Sequence, residues 1–215
     1  MRKLKGKSCY LCGNRINSDE DGSYDHIPPR NLFPEKPTGN LITVPTHKAC
    51  NNALSNHDET FRNFLLSSRD VHDTPVAKEL YRSKVRKSFN NHPIGQRKRN
   101  YLSERLRETV VTDDGERIEG PLLLIEEENP ALMPQFERII KGLYYHKLKK
   151  PLLSNVTMEI HFRNIDDFNG LDFRPHWHEV ENNVFRYFLH TQEGDDTKGM
   201  AGLLFYEKVF LIGFF

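Results

Sequence analysis

The chain has only three cysteines, Cys9, Cys12 and Cys50, and all of them fall in the first quarter of its 215 residues. Cys9 and Cys12 are separated by two residues and run into a Gly13-Asn14 turn; His47 and Cys50 repeat the same spacing further on. A tight turn can aim both of its thiols at one point, and residues three apart on a helix share a face, so each pair can serve as half of a metal site. Together they make a closed Cys3His set, the tetrahedral donor set of structural zinc. A unit of about fifty residues has too little core to hold itself, and bound zinc contributes folding free energy directly. Ordinary buried thiols are the alternative, but no cysteine is left outside the pattern. The opening residues, Met1 to Lys7, are too polar and too short for a signal peptide, and no apolar run reaches the roughly 18–20 residues of a membrane span. A cytoplasmic location follows as the expectation, one in which thiols stay reduced and serve metals more often than disulfides.

Between the two pairs the chain alternates short apolar runs with breakers. Residues 24–27 (Tyr24 to Ile27) form a strand stopped by Pro28-Pro29, and Leu41 to Val44 form a second strand stopped by Pro45. A helix is expected from about Thr46 through Leu54 and, after a break, Phe61 to Leu65. The first unit, 1–70, therefore reads as a zinc-stapled ββα fold. Residues 71–112 read as a basic helical linker or arm too polar to own a core. Val76, Leu80, Val85 and Phe89 lie at helical spacing, a stop follows at Asn90 to Pro93, and Leu102 and Leu106 mark another short helix. Residues 113–215 read as an α+β unit on an antiparallel sheet. It has a strand over 118–125, an amphipathic helix over 130–149, and strands at 156–163, 183–191 and 202–214. The overall class is α+β.

Within the first unit, Asp25-His26 ends the first strand, Asn40-Leu41 opens the second, and Asn51 directly follows the last cysteine. In order and spacing, Cys9 to Gly13, Asp25 to Pro28, Gly39 to Ile42 and His47 to Asn52 resemble the HNH (ββα-metal) nuclease family. The subgroup is the one whose active site is framed by two zinc-binding pairs. The resemblance covers residues 9 to about 56, with a histidine in the second zinc pair where cysteine is usual and Asn51 in place of the motif's last histidine. It implies a DNA endonuclease in which Asp25 and Asn51 hold a catalytic Mg²⁺ or Mn²⁺, His26 is the general base, and Asn40 ties the loop and orients that histidine. The residue types suit the task. A carboxylate and an amide oxygen are hard ligands for such a cation, and an imidazole of pKa near 6.5 is poised for proton transfer at neutral pH. Neighbouring strand residues point to opposite faces, so a twist or bulge is expected where Asp25 and His26 meet one phosphate. Arg30 is a candidate phosphate contact, with a solvated loop arginine as the alternative.

The net charge of +1 conceals an asymmetry, because residues 1–110 hold 20 Lys+Arg against 12 Asp+Glu while the rest hold 11 against 18. A basic front half suits a polyanion. Candidate contacts to the backbone of double-stranded DNA are Arg2, Lys3, Lys5, Lys7, Lys78, Arg82, Lys84, Arg86, Lys87 and the Arg97-Lys98-Arg99 run. Nothing reads bases, so affinity should be electrostatic and salt-sensitive. The acidic back half suits a protein partner, a homodimer interface or a regulator of cleavage. Defence of a host against invading DNA is one fitting context. His176 and His178 would share a strand face as a metal pair without a third ligand, and packing or hydrogen bonding is the favoured role. The competing expectation for the whole chain is a non-catalytic zinc-dependent adaptor that binds nucleic acid or protein; a nuclease acting on RNA is a third.

Overall fold

In the computed structural model, residues 3–90, 93–111, 115, 117–123, 132–152, 155–169 and 172–215 are described. The class is α+β, as expected. Strands β1 (Gly22–Ile27) and β2 (Ile42–His47) form an antiparallel hairpin that runs straight into α1 (Lys48–Ser67). Pro45 does not stop β2: it sits in register opposite Tyr24, on a strand paired along one side only, where a missing N–H breaks no ladder bond. Nor does α1 break near its middle, because Phe61, Phe64, Leu65 and Leu66 all enter the core from one continuous twenty-residue helix.

Short helices follow, α2 (Arg69–His72) and α3 (Pro75–Leu80). Thr74 caps the second with its hydroxyl accepting from the Ala77 N–H, and Pro75 occupies the first turn, where its missing donor costs nothing. A single π turn, Tyr81–Val85, leads into α4 (Arg86–Asn90), then α5 (Ile94–Ser103). Leu106, expected on a helix, instead opens β3 (Leu106–Val111), which pairs with β4 (Arg117–Leu123) as a separate two-stranded sheet. The helical stretch is less independent of a core than its polarity suggested, since Ala77, Leu80, Val85 and Leu102 are buried in the main one.

Helix α6 (Met133–Leu148) is the centre of the molecule. The start expected at Pro130 lies outside the described residues. Two close approaches seat the helix. A Cβ on Gly142 would stand 2.5 Å from Ile27 of β1, and one on Gly213 would stand 2.4 Å from Ile140 of the helix. Glycine at these two points lets α6 touch the N-terminal hairpin on one side and the C-terminal sheet on the other. The helix is therefore buried on two faces, not one. That sheet has the order β5-β9-β8-β7-β6, all antiparallel, from β5 (Glu159–Arg163), β6 (His178–Glu181), β7 (Phe185–Gln192), β8 (Asp195–Phe205) and β9 (Val209–Phe214). The strand expected over 202–214 is in fact the end of β8, a turn and β9. The turn uses Tyr206 and Glu207 at positive φ, with the Tyr206 hydroxyl donating to the Leu32 carbonyl from a fully buried position.

One hydrophobic cluster runs from Tyr10 and Ile27 through Phe61, Val85 and Phe136 to Phe205 and Leu211, so all three expected stretches share it. A second, smaller cluster on the far face of the sheet joins Phe168 of α7 (Ile165–Asn169) to Phe188, Phe210 and Ile212, with Trp177 against it. The apolar chain end is thus absorbed by an interior strand. His178 stacks on Tyr187 beside His176, a packing role for the pair. Among the described residues no helix is long and apolar enough to cross a membrane.

Candidate metal cluster and adjoining polar cavity

The turn after Cys9 is built by hydrogen bonds from the Gly13 N–H to the Cys9 carbonyl and from the Cys9 N–H to the Asn14 carbonyl, with Gly13 at φ 77°. The Tyr10 N–H donates to the Pro45 carbonyl and pins this turn to the end of β2. His47 is the last residue of β2 and the cap of α1, not a helical residue as expected; Cys50 follows in the first helical turn. The strand–helix junction achieves the same convergence. The Sγ atoms of Cys9, Cys12 and Cys50 and a ring nitrogen of His47 all lie within 4.8 Å of one another, a cluster that could hold a metal ion and is compatible with structural zinc. A tetrahedron with ~2.3 Å metal–sulfur bonds has edges of about 3.8 Å, so a contraction of ~1 Å closes the set.

The donor chemistry supports that fit. His47 Nδ1 stands 3.4 Å from Cys12 Sγ and 4.0 Å from Cys50 Sγ, while its Nε2 lies 3.3 Å from the Arg15 carbonyl. An Nε2–H donated to that carbonyl fixes the tautomer and leaves Nδ1 for the metal. Burial pushes the Cys9 thiol up, but hydrogen bonds from Thr46 and from the backbone at Cys12, His47 and Leu11 prevail and bring it down to about 6. Cys50 is pushed up to about 12 by burial and by the Cys9 and Cys12 charges. A bound cation would favour the thiolate form of its cysteine ligands.

Beside this cluster lies a cavity of about 290 Å³ lined by Asp25, His26, Asn51, Arg30, Asn31 and Asp58, among others. Asp25 and His26 reach it from adjacent positions of β1 without a bulge, because β1 pairs residue for residue with β2 up to Ile27 and the ladder ends there. The expected bulge is absent, and the ladder ends before Pro28-Pro29, as expected. Asn51 enters from the first turns of α1, its Nδ2 3.5 Å from Ser23 Oγ. Asn40 does not join them: it is exposed, outside the lining, next to Thr38 and Gly39, which are held by Glu181 of β6. Arg30 lines the cavity, but its guanidinium donates to the Phe33, Pro34 and Glu35 carbonyls of its own loop.

Two residues absent from the sequence expectations organise the cavity. Arg138 of α6, only 2% exposed, donates from Nε and Nη2 to Asp25 Oδ2 at 3.2 and 2.7 Å, and from Nη1 to Asp58 Oδ1. It also reaches the Tyr10 hydroxyl at 3.0 Å, Gln135 Oε1 at 3.2 Å and Asn51 Oδ1 at 3.4 Å. Tyr10 donates its own O–H to Asp25 Oδ2, and burial together with the Asp25 charge holds that phenol well above its ordinary value. Asp58 is raised by burial, with Arg138 pulling it down and Asp25 adding to the rise. Asp25 Oδ1 accepts no hydrogen bond among the described residues. His26 is lowered by burial and by Arg30, against the opposing pull of Asp25, so its neutral form prevails at neutral pH.

Of the cations expected on the helical stretch, Arg82, Arg86 and Arg97 are exposed, whereas Lys98 is paired with Glu59 and Arg99 donates to Gln96. Lys84 donates to the Asn31 and Phe33 carbonyls, and burial brings it down to about 8. Asp58 could have been found as the residue two helical turns beyond Asn51 on the same face; Arg138 carries no such local signal, because a charge off the apolar stripe of α6 reads as solvated. No family model matches this chain, and neither do curated proteins or solved structures.

Proposed function

We propose that this chain is a metal-dependent endonuclease of the HNH kind that hydrolyses DNA phosphodiester bonds, with His26 as general base and Asp25 and Asn51 as ligands of a Mg²⁺ or Mn²⁺ ion. The observation that carries this reading is the meeting of Asp25, His26 and Asn51 at one cavity, next to a Cys3His cluster that braces the same strand–helix junction. The donor set fits a hard cation: among the described residues Asp25 Oδ1 accepts no hydrogen bond, and Asn51 Oδ1 has only the long contact to Arg138 to give up. A bound cation would supply counter-charge at the phosphate oxygens. His26, neutral and half-buried, accepts the proton of the attacking water, a contribution typically worth about 10²–10⁴ in rate. Arg138 and Tyr10 hold Asp25 by Oδ2 and leave its other oxygen for the cation.

One observation favours a second reading, the non-catalytic adaptor. The Arg138 guanidinium already neutralises Asp25 and touches Asn51, so the site balances its charge internally. Supercoiled plasmid incubated with the protein in Mg²⁺, in Mn²⁺ and without divalent metal, alongside His26→Ala, separates the two. The nuclease reading expects nicking in metal alone and its loss by at least about a hundredfold in the variant. Undiminished cutting by His26→Ala would overturn the mechanism, and binding without cutting in either metal would establish the adaptor.

A further inference from the structure

A second, larger cleft of about 590 Å³ opens on the same hairpin and shares Tyr24 with the cavity just described. In the β1–β2 register His26 stands opposite Thr43 and Tyr24 opposite Pro45, so these four side chains occupy one face of the hairpin. Tyr24, Thr43 and Pro45 line the cleft. The proposed general base therefore shares a face with three residues of the cleft, while Val44, from the opposite face, and the end of α6 carry the cleft around the edge of the hairpin. Apart from Val44, the remaining lining comes from the N-terminal segment and from the end of α6, and includes Lys7, Tyr145, His146 and Lys149 but no carboxylate. Lys7 Nζ donates to the Tyr24 hydroxyl at 3.0 Å and lies 5.4 Å from the centre of that ring, while Lys149 Nζ donates to the His146 carbonyl. Neither ammonium has a carboxylate partner among the described residues. Burial lowers His146, which enters as a neutral N–H donor. Lys98, on the helical stretch, is by contrast paired with Glu59, and Lys84 is half-buried against the Asn31 and Phe33 carbonyls.

We propose that this cleft seats the phosphodiester backbone of double-stranded DNA, with Lys7 and Lys149 on its phosphates, and that the strand passes over Tyr24 to the cavity holding His26. The inference rests on the nuclease reading for what happens at the end of that path, but the binding itself does not need turnover. An open cleft with unpaired cations on both walls suits a repeating polyanion, and continuity with the cavity gives a polymer, unlike a mononucleotide, reason to fill both. It also gives the C-terminal half a direct part in substrate binding, through His146 and Lys149.

The test is fluorescence anisotropy of a short labelled DNA duplex with the full chain, without added divalent metal so that nothing is cut. Lys7→Gln/Lys149→Gln is expected to weaken binding about tenfold near physiological salt and to lower the slope of log K against log salt by about two. Arg82→Gln/Arg97→Gln tests the rival surface, the helical stretch whose cations the sequence also offers to phosphates; if the cleft carries the backbone, this pair should move Kd by less than about threefold and the slope by less than about one. Both lysines of the cleft are exposed, and unchanged zinc content and thermal midpoint verify that the variants are folded. A parent chain that binds no duplex, a cleft variant with the parent's affinity and slope, or a larger loss from the helical pair would each overturn the proposal. Plasmid cleavage in Mg²⁺ is scored separately: cleft-dependent binding without cleavage refutes the nuclease reading and leaves the cleft standing.

Discussion

The two polar clusters of this chain handle charge in opposite ways. The Cys9, Cys12, His47 and Cys50 cluster gathers three thiols and an imidazole within 4.8 Å, and no side chain of the opposite sign stands among its donors. A metal ion is the counter-charge that this donor set could take. The cavity at Asp25 is balanced from within: Arg138 crosses from α6 to meet two carboxylates and an amide contributed by β1 and α1. The first cluster joins segments close in sequence and staples one hairpin to one helix. The second joins residues more than a hundred positions apart, Asp25 and Arg138, and makes the site depend on the second half of the chain. The first cluster is thus built to take an ion from outside, and the second uses an ion of the protein's own.

The largest effect that separates them is loss of zinc. Structural zinc contributes an apparent ~10–16 kcal/mol to small zinc-folded units. Cys12→Ser, at an exposed ligand, should abolish stoichiometric zinc and remove a substantial part of that stabilisation from the hairpin and α1. Metal analysis together with a urea melt reads both quantities. A midpoint unmoved by a strong chelator would break the comparison, because the first cluster would then be balanced without its metal.

Next in size comes Arg138→Met, which keeps the stem of the side chain and leaves Asp25 and Asp58 without their counter-charge. Breaking one partner out of a buried pair costs about 3–5 kcal/mol, and Asp25 is only 5% exposed. Combining it with Asp25→Asn should recover part of the loss, so the coupling from a double-mutant cycle in urea melts measures how far the two are joined. Additive single effects would mean that the cross-chain balance contributes nothing. Zinc content should stay at the parent level throughout, which keeps this change distinct from the first.

The same contrast explains what the sequence made legible. The thiol pairs were readable because a metal site of this kind needs four donors at short spacings, and no cysteine lay elsewhere. Asp25, His26 and Asn51 were readable as members of a pattern, and they do meet at one cavity. Asn40 belonged to the same pattern but lies exposed, beside the loop that Glu181 clamps, a contact 142 positions long that no local reading reveals. Arg138 was hidden for a related reason. On an amphipathic helix a charge off the apolar stripe reads as solvated, and only the close approach at Gly142 shows that the opposite face is buried as well. Pro45 and the Tyr206–Glu207 turn misled because breaker and turn chemistry give way to tertiary context: an unpaired strand edge tolerates the proline, and a buried hydroxyl bond at Tyr206 anchors a turn without glycine.

The smallest expected effect is on pH dependence, and it probes whether Arg138 quenches Asp25 as the comparison requires. Three influences act on His26: burial lowers it, the Asp25 carboxylate raises it, and Arg30 lowers it. The net direction is down, so the proton-accepting form persists below the ordinary value of 6.5 and the acid limb of kcat/KM for plasmid cleavage should fall below that pH. The stability linkage has the matching sign. A folded state that binds the proton less readily than the unfolded one gains stability as pH rises through the window below 6.5, and holds it fully above. In Arg138→Met the Asp25 charge loses its compensation and its pull on His26 strengthens, so the limb should move towards higher pH. Initial rates at subsaturating plasmid between roughly pH 5 and 8 compare the two proteins. A parent limb above 6.5, or a limb unmoved by the substitution, would show that the guanidinium does not govern the field at the proposed base.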